Sequence, residues 1–261
     1  MKTFEEQQNS FSKHWSEMKT QLETGDPEAG AKFIKDNFDD DLEKRVMYIF
    51  SRGGLIFDQW KNKNLDSYIH IADAGIEELL RQSEESPDEE TRYRRIDTAN
   101  IISYNLGADL AFCWDDSFNR TEAHFKRGLK AGEECVRWRK ELNKPPMPFS
   151  MAYWLCGVHR LALNDKEGAL KDFEESLRYA ELDTKEQNQP TELEKADGAL
   201  VLAYGWVVLT KLLMGKENAQ QEYNKVMEIF RKQLESNDEN IREDAKIYVE
   251  QLEKVENMLK K

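Results

Sequence analysis

The chain has 261 residues, 39% of them hydrophobic and 34% charged, with only 13 Gly and 6 Pro. That balance excludes a disordered polymer and suits a strongly helical protein with a sizeable core. A net charge of −13 opposes binding to phosphate backbones, so no nucleic-acid partner is expected. The three cysteines, Cys113, Cys135 and Cys156, are odd in number and form no C-x-x-C pair, which points to a reducing compartment and a cytoplasmic location.

Taken in chain order, apolar periodicity and start signals predict eleven helices with short connections, over 3–24, 27–38, 41–61, 65–84, 88–113, 119–142, 148–163, 166–183, 191–214, 217–235 and 239–260. The starts read as capping boxes or related spacings: Thr3 with Glu6, Asp40 with Glu43, Ser86 with Glu89, Asn119 with Glu122, Asn164 with Glu167, Thr191 with Glu194 and Ser236 with Glu239. The opening MKTFEEQQNS has no apolar core of a secretion signal. Pro145-Pro146-Met147-Pro148 reads as a stiff interhelix loop. Ala199–Leu209 is the longest apolar run, too short to cross a bilayer, and reads as a helix buried on most sides. No membrane partner is expected.

Two stretches read alike: SYNLGADLAF (Ser103–Phe112) and YWLCGVHRLAL (Tyr153–Leu163). Each places a Gly inside an apolar helical run, at Gly107 and Gly157, 50 residues apart. A mid-helix Gly costs about 1 kcal/mol against Ala, so a repeated one implies a repeated close packing of helices. After Gly157 come a turn at Asn164-Asp165, then Ala169, Phe173 and Leu177. The earlier copy keeps Leu106-Gly107, Phe125 and Leu129, and a looser later one has Val207-Val208, Gly215, Ala219 and Tyr223. A first copy runs through Gly53-Gly54 and Ala72–Gly75.

With these residues the chain resembles the tetratricopeptide repeat family, most closely over the Tyr153–Leu177 copy, although its copies lie near 50 residues apart where the family's lie 34 apart. The resemblance implies an all-α fold, a right-handed α-α superhelix of stacked antiparallel hairpins, irregular and compact. It implies one domain over 1–261: divergent helices in 1–85, the best copies in 88–235 and a capping helix over 239–260.

It also implies a non-catalytic scaffold that holds a protein or peptide in a concave groove, without metal or cofactor. Carried over residue by residue, the groove is lined by Arg52, Tyr104, Asn105, Phe112, Trp154 and Val158, with Trp60, Ala108, Leu155 and Ala162 beside them. Ala108 and Val158 stand where family members that grip a terminal carboxylate carry Asn, so a more apolar ligand is expected.

Three other features invite chemistry. Cys156 and His159 lie one helical turn apart, but nothing nearby supplies further metal ligands. Asp39, Asp40, Asp41 and Glu43, and Asp115-Asp116 after Trp114, echo the acid-rich metal motif of all-helical terpenoid synthases, though the first falls where a helix start favours acids. His14, His70 and His124 show no partner pattern. These leave an all-α enzyme with an inter-helix cleft as the alternative. A homo-oligomer is the third reading, through the stripe Ile241, Ala245, Tyr248, Leu252, Val255 and Leu259.

Overall fold

The computed structural model describes residues 3–58, 60–114 and 116–259. Among these residues all regular structure is helical. The chain divides after Asp109 into two compact units.

The first unit holds α1 (Phe4–Leu22), α2 (Ala29–Asn37), α3 (Asp41–Arg52), α4 (Leu65–Glu84) and nearly all of α5 (Glu89–Leu110). The Thr3 capping box forms in full, with Thr3 Oγ1 accepting from the Glu6 N–H at 3.2 Å and Glu6 Oε2 accepting from the Thr3 N–H at 2.7 Å. Asp40 Oδ1 accepts from both Leu42 and Glu43 N–H at 2.9 Å. The helix expected over 41–61 stops earlier. After Arg52 the backbone widens into a π-helical turn, Gly53–Phe57. The Trp15 ring lies against Gly54 so closely that a Cβ there would stand 2.5 Å from it. Trp15 Nε1 donates to Asp58 at 2.9 Å and Trp60 Nε1 to the Gly54 carbonyl at 3.0 Å, so two indoles clamp the turn.

The second unit holds α6 (Glu122–Glu141), α7 (Pro146–Ala162), α8 (Lys166–Glu186), α9 (Gly198–Leu213), α10 (Ala219–Gln233) and α11 (Glu239–Leu259). Each helix packs on the next. In addition α7 touches α9 and α9 touches α11, so alternate helices lie side by side.

Several starts shift from their expected residue to a nearer acid or hydroxyl. Asp88 rather than Ser86 accepts from the Thr91 N–H at 2.7 Å, and Asp165 rather than Asn164 from the Gly168 N–H at 2.9 Å. Asp197 rather than Thr191 caps α9, at 2.8 Å from the Leu200 N–H, and 191–197 are turns. Thr121, with His124 reaching back to its N–H at 3.1 Å, replaces Asn119. At α11, Asp238 accepts from the Asn240 N–H at 2.9 Å. A carboxylate next to the first turn is a stronger acceptor and meets the helix dipole, so it wins over a more distant Ser or Asn.

The ends repeat more strictly than the starts. Helices α6 to α9 each stop with a left-handed residue: Asn143 (φ 49°), Asn164 (φ 63°), Asn188 (φ 55°) and Gly215 (φ 69°). Each stop carries the same pair of bonds; after α7, for example, the Asp165 N–H reaches the Arg160 carbonyl at 2.9 Å and the Asn164 N–H the Leu161 carbonyl at 3.0 Å. This closure satisfies the last carbonyls and reverses the chain for the next helix.

Between the helices, small residues set the spacing. A Cβ on Gly157 would lie 2.6 Å from the Phe173 ring, so Gly157 is what lets α7 and α8 approach. Phe173 and Ala169 are fully buried there. Gly128 and Gly132 on α6 similarly admit His159 and Cys156 of α7. Gly107 is also buried, on α5. Ser150 and Ser176 hydroxyls, buried between α7 and α8, meet at 3.2 Å. α9 is buried on most sides, as its unbroken apolar run requires.

Candidate functional site: the α7 and α9 face of the second unit

Trp154 projects from α7 toward α9, its ring 6.4 Å from Trp206 and 6.3 Å from Trp114. Trp206 in turn stacks on Phe173 at 5.1 Å. Three indoles from α7, α9 and the connection before α6 therefore form one aromatic chain. Trp206 is fully buried and Trp154 half-buried. Neither indole N–H meets an acceptor among the described residues. A buried donor left so costs about 1–3 kcal/mol. One turn before Trp154 on the same side of α7, Met151 is 38% exposed.

The connection that carries Trp114 is held rigidly. Arg120 makes a two-pronged pair with Asp116, at 2.7 and 2.6 Å, and its side chain is only 7% exposed. That pair and its hydrogen bond to the Phe118 N–H hold the Asp116 carboxyl below the usual range, against the opposing effect of burial. Lys254 Nζ of α11 donates to the Trp114 carbonyl.

The residues expected to line a groove fall into different settings. Trp154 stands on the α7 face, but Val158, one turn on, is fully buried, and Phe112 is buried against Phe125 at 6.0 Å. Both fill the core instead of presenting a surface, because their neighbours are long helices that close over them. In the first unit, Tyr104 and Asn105 are half-buried on α5, with the 51%-exposed Ile101 one turn before them. Arg52 is committed to Asp109, through Nε at 2.7 Å and Nη2 at 2.9 Å, and lies 4.9 Å over the Phe57 ring. Its pKa is raised, chiefly by that hydrogen bond.

The other chemical candidates have structural partners. Burial pushes the Cys156 thiol up, which disfavours a thiolate nucleophile, and it packs on Gly132. His159 is fully buried near the Phe125 ring at 6.3 Å. Asp40 is a cap and Asp41 pairs with Arg81 at 2.8 Å. Asp115 lies outside the described residues. Among the described residues no group of three or more His, Cys, Asp or Glu is placed to hold a metal ion. No described helix is long and apolar enough to cross a membrane.

Trp114, Trp206 and Lys254 are absent from the sequence-based site. Trp154 and Trp206, 52 residues apart in successive alternate helices, echo the Gly repeat and were the legible signal. No protein-family model matches the chain, and no curated protein is significantly similar to it.

Proposed function

We propose that the second unit is a tetratricopeptide-like stack of hairpins that binds a protein or peptide on the face formed by α7 and α9. The contact of α7 with α9 and of α9 with α11 carries this reading, since alternate helices side by side make one continuous surface. Trp154 and Met151 supply rigid aromatic and adaptable thioether contacts on it. The acidic chain favours a partner with basic residues flanking an apolar anchor.

Partners captured by the full chain, identified by mass spectrometry and purified, provide the test. Hydrogen exchange of the chain with and without saturating purified partner is expected to show protection concentrated in 150–160 and 200–210. Protection confined to other segments would refute the assignment of this face.

A further inference from the structure

Helix α11 is bound less completely than its neighbours. Of its 21 residues only Ala245, Gln251, Leu252 and Val255 are buried, whereas α9 buries nine of 16. Leu252 seats over Gly205, and Tyr248 meets Phe230 with ring centres 5.6 Å apart. At its start a cleft of about 540 Å³ remains, lined by Ile241 and Asp244 together with Ala196, Gly198 and Ile229. Ile241 and Ile247 are each 43% exposed. Inside the contact, Gln251 Oε1 is buried with no donor among the described residues, a cost that a well-matched interface avoids. Beyond the hairpin, Lys254 spans to the Trp114 carbonyl, beside the ring that touches Trp154.

We propose that α11 is a displaceable strap, latched by Lys254, and that the partner, besides its segment on the α7 and α9 face, carries an amphipathic helix that takes the place of α11 on α9 and α10. This deepens the peptide-binding reading and rests on it. The occupant's chemistry follows from the helix now seated there: small and apolar residues spaced as Ala245, Leu252 and Val255, with a cation at the position of Lys254. Lifting α11 uncovers Gly205 and the apolar side of α9, so the open state is a minor one that a competing helix stabilises. Opening also releases Lys254 from the Trp114 carbonyl, linking the strap to the connection that carries Trp114.

Hydrogen exchange of the full chain tests the strap. Amides of 243–257 are expected to exchange at least tenfold faster than those of 200–210, through local opening. Lys254→Met, which keeps the stem and removes the donor, should speed the α11 amides a further three- to tenfold and leave 200–210 unchanged. A labelled peptide of residues 239–259, followed by anisotropy, should bind the Lys254→Met chain more tightly than the wild type by a similar factor. Exchange of α11 and α9 at one common rate, shifted together by Lys254→Met, would overturn the strap. Peptide binding that is absent, or equal for both chains, would overturn the docking of a helix in its place. Partner protection in 150–160 together with slow α11 exchange would sustain the binding face while removing the strap, so the two claims fail separately.

Discussion

Lys254 Nζ donates a hydrogen bond to the carbonyl of Trp114, 140 residues earlier, and so ties the last helix to the connection that opens the second unit. The bond ties down the backbone of Trp114, whose ring belongs to a three-indole chain with Trp154 and Trp206. Because a lysine ammonium carries three donors on a flexible stem, it holds this carbonyl without a rigid geometry.

Gly157 should not tolerate a side chain. Gly157→Ala puts a Cβ 2.6 Å from the Phe173 ring, which is fully buried and has no room to retreat. The expected loss is about 1–3 kcal/mol by urea unfolding. Gly53→Ala is the control: it meets nothing within 4 Å and already has helical dihedrals, so a gain of about 0.4–1 kcal/mol is expected.

The repeated helix ends predict an ordered substitution series. Asn164→Gly should match or slightly exceed wild-type stability, because φ is 63° there. Asn164→Val should cost about 1–2 kcal/mol, since a β-branched residue resists the left-handed region. Equal melting temperatures for the two variants would show that the closure of α7 does not depend on this conformation.

The fold was legible where local chemistry decides it. Eleven helices follow from periodicity and caps, and Gly157 with Phe173 from the small-residue pattern. The site was less legible. Val158 and Trp154 share a helix face by spacing, yet one is core and the other half-exposed, a difference set by tertiary packing that local sequence does not encode. Nothing local announces that Lys254 meets Trp114, or that the Trp15 ring, 39 residues before Gly54, packs against the π-helical turn.

The first unit depends on the Arg52 and Asp109 pair. Arg52→Met leaves an 11%-exposed carboxylate side chain without its two-pronged partner. A loss of roughly 2 kcal/mol is expected, less than for a fully buried pair because Arg52 is 32% exposed. Asp109→Asn should cost less, since it keeps an acceptor. Stability measured by thermal unfolding at low and high salt checks both.

Alkaline pH should destabilise the protein through groups buried in neutral form. Burial pushes the Cys113 thiol from its ordinary 9.0 up to about 12, and the Tyr48 hydroxyl from 10.0 to about 12. The unfolded chain releases these protons near 9 and 10, while the folded chain keeps them until about 12. The stability they confer is therefore complete below pH 9 and is lost as pH rises toward 12. The melting temperature should fall between pH 9 and 11, and Cys113→Ala should flatten that fall. The same burial predicts that a thiol reagent at pH 8 labels the native protein far more slowly than the unfolded chain, which exposes three cysteines.

The central claim is that the α7 and α9 face binds a partner, and Met151 offers the most direct access to it. Met151→Glu places a charge on an exposed position one turn from Trp154 without disturbing the core. Isothermal titration of the purified partner is expected to show at least a tenfold weaker Kd, with the melting temperature within about 2 °C of wild type. An unchanged Kd at an unchanged melting temperature would contradict the claim.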